Sequence, residues 1–210
     1  MHQTLNLPGE APLMVLPNAV LFPHALLPLH IFEERYRKML AHCLERDRLF
    51  CIALMKPGIS EPASIADFFH VGGLGLIRAC VGNADGTSHL VLQGLARVEL
   101  LGLVAERPFR VAQIRQIRSA AGQQVEEEAL SAKVIEMCQT LKTHGMEMPG
   151  KVGKELPYLN NPDAVADIVA HSFVADPIER QMLLSESSVA ERLRMLIASF
   201  QRALDDPAPE

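Results

Sequence analysis

Residues 14–40 read MVLPNAVLFPHALLPLHIFEERYRKML, and the change of period within this run decides the fold. Pro17, Pro23 and Pro28 interrupt short apolar bursts. Proline lacks a backbone N–H and fixes φ, so these three forbid one long helix and confine strands to edges, ends or bulges. Beyond Pro28 the spacing turns helical: Ile31, Phe32, Arg35, Tyr36, Met39, Leu40 and Cys43 recur every three or four residues, which places them on one stripe. The stretch predicts bent strand pieces that feed an amphipathic helix starting at Phe32 and fading around Asp47.

On its N-terminal side lie a polar leader, Met1–Glu10, and a short strand, Leu13–Leu16. On its C-terminal side, Leu49–Met55 is a compact apolar run ended by Lys56-Pro57-Gly58, the signature of a buried strand and a turn. Phe68–Val81 is the first arm of a hairpin whose tip, Gly82–Thr87, contains Asp85-Gly86, a pair suited to the positive φ of tight turns. His89–Arg97 returns antiparallel, and Gly94 marks a bulge or a bend into the next strand, Val98–Val104. A last strand, Phe109–Ile117, alternates imperfectly, so one of its sides is expected to be partly solvated. Repeated hairpins with glycine bends predict a sheet curled into a small barrel, since closure removes exposed edges.

From Ser119 the composition shifts to small polar residues and then to helical periods. Val125–Thr143 opens with Glu126, Glu127 and Glu128, favourable at a helix N-terminus, and carries the stripe Leu130, Val134, Met137, Cys138 and Leu141. Asn161-Pro162-Asp163 and Asp176-Pro177 start two more helices, and Ser188 with Glu191 has capping-box spacing before a fourth, Val189–Leu204. The expected class is α+β: a β-barrel subdomain with one or two helices over residues 1–118, a linker at 119–124, and a helical bundle over 125–210.

An apolar fraction of 49% with 21% charged residues is that of a folded globular chain. Twenty basic against 25 acidic residues give a net charge of −5 without a basic block, which disfavours a nucleic-acid partner. Cys43, Cys51, Cys80 and Cys138 have no metal-ligand spacing and read as buried thiols. With no signal-like leader and no apolar run of transmembrane length, a cytoplasmic protein without a membrane partner is expected.

Candidate active sites fail one by one. Gly145–Val152 spells G-x-x-x-x-G-K-V, but valine stands where a phosphate loop needs a hydroxyl for Mg²⁺, and a helix rather than a strand precedes it. His24 and His30 are six residues apart with no further ligand beside them, so no metal site is expected. No G-x-S-x-G elbow is present, and Ser185, Ser187 and Ser188 sit where helix capping is their role. Catalytic residues, metal and cofactor are all read as none.

The proline-punctuated run at 14–40, together with Val71-Gly72, Gly75-Leu76-Ile77, Asp85-Gly86, His89–Arg97 and the helical segment Asp163–Leu204, resembles the Lon protease N-terminal domain, or LON substrate-binding domain. The resemblance spans nearly the whole chain. It implies a PUA-like fold and a role in binding unfolded or misfolded polypeptides, without the ATPase module or the Ser–Lys peptidase module of a full Lon protease. It also implies a standalone domain, with a protease or ATPase acting in trans as the further partner. Such a role needs an accessible apolar surface, and the candidate contacts are Phe68 and Phe69 at the mouth of the hairpin and Met146 and Met148 in the loop between helices. Two other classes stay open. One is RNA binding through Arg78, Arg97, Arg107, Arg110, Arg115 and Arg118, and the other is a small-molecule pocket.

Overall fold

Prolines punctuate the first third of the chain as the sequence demands. In the computed structural model, which describes residues 7–104, 108–120, 122–143, 152 and 156–205, Pro17 ends β1 (Glu10–Leu16). Pro23 lies in the following loop, and Pro28 lies in β2 (Leu26–Ile31), the end strand of the sheet. Then come α1 (Glu34–Leu44), β3 (Leu49–Leu54), β4 (Val71–Gly82), β5 (Ser88–Val104) and β6 (Arg110–Ile117). The chain divides into two compact units, Met1–Ile117 and Arg118–Glu210.

The first unit is organised by β5. Residues 88–99 of this 17-residue strand pair with β4 along one edge, while the other edge serves β2 through residues 88–93 and β6 through 97–104. With β4 on β3, β3 parallel to β1, and β1 on β6, the order β5-β4-β3-β1-β6 returns to β5 and closes a five-strand ring. Register shifts at Leu74/Gly75, Ile77/Ala79 and Leu100/Gly102 supply the extra twist that closure needs. The two strands expected at His89–Arg97 and Val98–Val104 are therefore one, bent where Leu95 is left out of the pairing with β4.

Strand alternation sorts apolar side chains into two clusters. Leu13 and Val15 of β1, Cys51 and Ala53 of β3, and Leu74, Val98 and Ala112 enter one. Met14, Phe50, Ile52, Leu92 and Val111 enter the other, where Tyr36, Met39, Leu40 and Cys43 of α1 pack. The Tyr36 hydroxyl donates to the Val15 carbonyl at 3.0 Å, tying the helix to β1. The helix starts two residues later than its period suggests: Glu33 is still extended as its N-cap, and Phe32 stands outside the helix at 60% exposure.

Close approach explains two glycines. A Cβ on Gly73 would run into the Leu21 carbonyl, and one on Gly94 into that of Phe22, because the buried loop after Pro17 lies against the sheet. Gly94 is gripped from that loop, donating its N–H to Ala25 and accepting from the N–H of His24. Gly86 takes φ +81° in the hairpin turn, where the Asp85 carboxylate accepts from both the N–H and the hydroxyl of Thr87.

The second unit contains α2 (Gln124–Thr143), α3 (Pro162–Phe173), α4 (Pro177–Ser185) and α5 (Val189–Asp205). Asn161 and Asp176 cap α3 and α4, each accepting two backbone N–H groups ahead of an N1 proline. The box expected at Ser188 is only half built. Its hydroxyl accepts from Glu191 N–H, but its own N–H goes to Glu186 instead. Val134, Cys138 and Leu141 of α2, Val165 and Val169 of α3, and Leu193, Leu196 and Phe200 of α5 form the apolar interior.

Within that interior lies Arg192, 1% exposed. It donates to Asp167 at 2.5 Å, to Asp163 at 2.8 Å and to the Ser119 hydroxyl at 2.9 Å, and Ser119 in turn donates to Asp163. Ser119 and Ala120, read as part of a linker, are thus held inside this unit, Ala120 by a bridge to Ser188.

Candidate functional site

The buried polar network is not a reactive centre, because the carboxylates of Asp163 and Asp167 are engaged by the Arg192 guanidinium. The thiols are equally quiet. Burial pushes Cys43 and Cys138 up to about 12, and Cys51 further still. Since the thiolate is the nucleophile, only half-buried Cys80 should react with a thiol reagent at pH 8. We expect one fast equivalent from the native protein and four after denaturation; two fast equivalents would contradict this burial pattern.

An open surface is built where β2, β5 and β4 lie side by side. Register places Pro28 beside Val91 and Val91 beside Ala79 in one row, and His30 beside His89 and His89 beside Val81 in the next. These six residues line a shallow cleft of about 440 Å³. Val81 is 66% exposed, and Leu26 and Phe32, at the two ends of β2, are 50% and 60% exposed. The His30 and His89 rings stack at 4.5 Å, and Phe32 tilts against His30 at 5.7 Å. The result is an apolar and aromatic strip one six-residue strand long, with no charged side chain among its lining residues.

Of the polypeptide contacts singled out from sequence, the two that are described, Phe68 and Phe69, do not lie there. Phe68 is fully buried in the cluster of Leu74 and Val98, so its ring is core rather than contact surface. The cause is local: Phe68 bridges to Met55, and Phe69 N–H binds the Leu54 carbonyl, which pins this turn to the end of β3. Phe69 is half-buried at the opposite end of β4 from the cleft. Met146, Met148 and the glycine-lysine loop around them lie outside the described residues. Among the arginines, Arg107 lies outside the described residues, Arg97 is buried, Arg110 donates to the Pro62 carbonyl and Arg115 pairs with Glu99, which counts against a basic RNA-binding face.

The strip did have a signal in the sequence. Leu27, Leu29 and Ile31 fill one parity of β2 while Leu26 and Pro28 stand on the other beside His30, so a strand with only one covered side must present hydrophobes on its open one. A second cleft, of about 530 Å³, is lined by Glu34, Arg37, Lys38, Ala41 and Gly86; it is charged, and Lys38 is paired with Glu34 at 2.6 Å. Among the described residues no group of three or more potential ligands could hold a metal, and no helix is long and apolar enough to cross a membrane.

Residues 10–202 match the ATP-dependent protease La (LON) substrate-binding domain. The chain belongs to this family. The Lon protease of Dictyoglomus thermophilum is 23% identical over 98% of the chain, and that of Escherichia coli K12 is 24% identical over 93%. The match takes in 26% and 25% of those proteins, so the chain spans about a quarter of the curated Lon proteases it resembles. Among solved structures, the N-terminal domain of the Mycobacterium avium complex Lon protease superposes with a TM-score of 0.73 at 17% identity, covering 91% of this chain and 98% of that domain. A Lon N-terminal domain protein from Xanthomonas campestris gives 0.65 at 20% identity, covering 90% and 97%. These likenesses confirm the α+β fold, and membership of the LON substrate-binding domain family is consistent with substrate recognition.

Proposed function

We propose that this LON-type domain is a polypeptide-recognition module that holds unfolded or misfolded segments, in a cytoplasmic quality-control role, and breaks no bond itself. Segments held there pass to an ATPase or protease acting in trans. The observation that carries this reading is the open strip on β2, β5 and β4, with Val81 and Phe32 at 66% and 60% exposure. Exposed apolar patches rimmed by polar surface mark interaction sites, and a strand's length of about 20 Å suits an extended segment of five or six residues. Phe69, Met146 and Met148 are kept as secondary candidate contacts.

The test is retention of a permanently unfolded, carboxymethylated protein on the immobilised domain, with its native counterpart as control. We expect the unfolded form alone to be retained. We also expect the double variant Val81→Asp, Phe32→Ser to weaken retention about tenfold or more, since a few central apolar anchors carry most binding energy. Both positions are exposed, so an unchanged circular dichroism spectrum separates lost binding from lost folding. Equal recovery of native and unfolded forms, or full retention by the variant, would overturn the reading.

A further inference from the structure

Two imidazoles stacked across neighbouring strands in the floor of an otherwise uncharged strip are an unusual choice of floor. Leucine or valine would serve an apolar surface better. Histidine differs in one respect that matters here: it is the side chain whose charge ordinarily changes between pH 5 and 8. His30 and His89 are both exposed, their rings lie 4.5 Å apart at 13° between planes, and both line the cleft. While neutral, the pair is a flat aromatic platform continuous with Phe32 and Val81. Once protonated, the same platform carries positive charge at the centre of the strip, with like charges in contact.

We propose that His30 and His89 determine which segments the strip accepts. Neutral, they take uncharged apolar segments; protonated, they favour segments that carry Asp or Glu. This rests on the polypeptide-binding reading above. The charged groups around the pair fit it. Asp85, in the turn between β4 and β5, has its carboxyl held low first by the Thr87 N–H, then by the Thr87 hydroxyl, with His30 adding a smaller electrostatic pull. Arg37 of α1 packs its guanidinium against Gly86 at the same hairpin tip, and Arg78 is exposed on β4 at the register shift beside Ala79. Glu34 and Lys38 of α1, paired at 2.6 Å, line the same tip beside Arg37 and Gly86, so Asp85 and Glu34 are balanced there by Arg37 and Lys38 and leave no net negative charge to mask protonated imidazoles.

Two fluorescent decapeptides test it, identical in their apolar residues and differing only in two Ser-to-Asp positions. Binding is read by anisotropy at pH 7.5 and 5.5, where peptide aspartates stay charged. We expect the ratio of the acidic peptide's affinity to the neutral one's to rise about fivefold to tenfold on going to pH 5.5, as one or two exposed charge contacts allow. The double variant His30→Gln, His89→Gln should hold a constant ratio. A wild-type ratio that does not change with pH, or a variant that responds like wild type, overturns the proposal while leaving the polypeptide reading intact. Failure of both peptides to bind at either pH overturns that reading and this one with it.

Discussion

Asp167→Ala should cost the helical unit about 3–5 kcal/mol of stability, because it strips a fully buried cation of its closest counter-ion. Arg192 is 1% exposed and meets Asp167, also 1% exposed, at 2.5 Å, so no solvent route exists by which the guanidinium could compensate for the lost carboxylate. Asp163 remains at 2.8 Å, but its side chain is about a third exposed and already serves the Ser119 hydroxyl. The charge balance matters more than the contact. Replacing the whole pair, Arg192→Met with Asp167→Leu, should recover most of the loss, since a buried ion pair gains little over well-packed hydrophobes. Among the described residues Arg192 Nε finds no hydrogen-bond partner, which strengthens this expectation. Urea unfolding followed by circular dichroism at 222 nm, a signal dominated by the helical unit, measures the loss. A single-variant loss below about 1 kcal/mol, or a double variant as unstable as the single, would contradict the account.

Gly94→Ala is the second large effect expected, about 3 kcal/mol or more, through overpacking against backbone rather than a movable side chain. The added methyl would run into the Phe22 carbonyl and the main chain of Pro23, and the loop cannot retreat without giving up the hydrogen bonds from His24 N–H and to Ala25 carbonyl. Gly102→Ala is the control. It lies in the same strand, a Cβ there meets nothing within 4 Å, and its change should stay within about 0.5 kcal/mol. Comparable losses for the two variants in thermal or urea unfolding would mean that glycine flexibility, not close approach, explains Gly94.

The local grammar was readable from the residues; the long-range pairings were not. Proline positions, the Asp85-Gly86 turn and the caps at Asn161 and Asp176 follow from backbone chemistry acting over a few residues. Closure of the ring depends on β5 meeting β6 after a bulge at Leu95, and a bulge shifts which parity faces which cluster, so alternation alone gives the wrong side downstream of it. Ser119 read as linker because its partner, Arg192, is 73 residues away. Even so, Arg192 falls between Val189, Leu193 and Leu196 on an apolar stripe, and Asp167 between Val165 and Val169, opposite charges at core positions that could have been matched. Phe68, a candidate contact by its place at the hairpin mouth, bridges instead to Met55 and is buried in the core, a pairing across thirteen residues that local pattern does not reveal.

The grip on Gly94 has a mechanical consequence. It falls between the stretch of β5 that carries β2 and the stretch that completes the ring with β6, with both main-chain groups of that residue already taken by the loop. A slip of β2 along its partner is arrested at this clasp and cannot travel into the closed part. The β2 pairing beneath the strip thus ends on one side of this clasp, and the closure with β6 begins on the other.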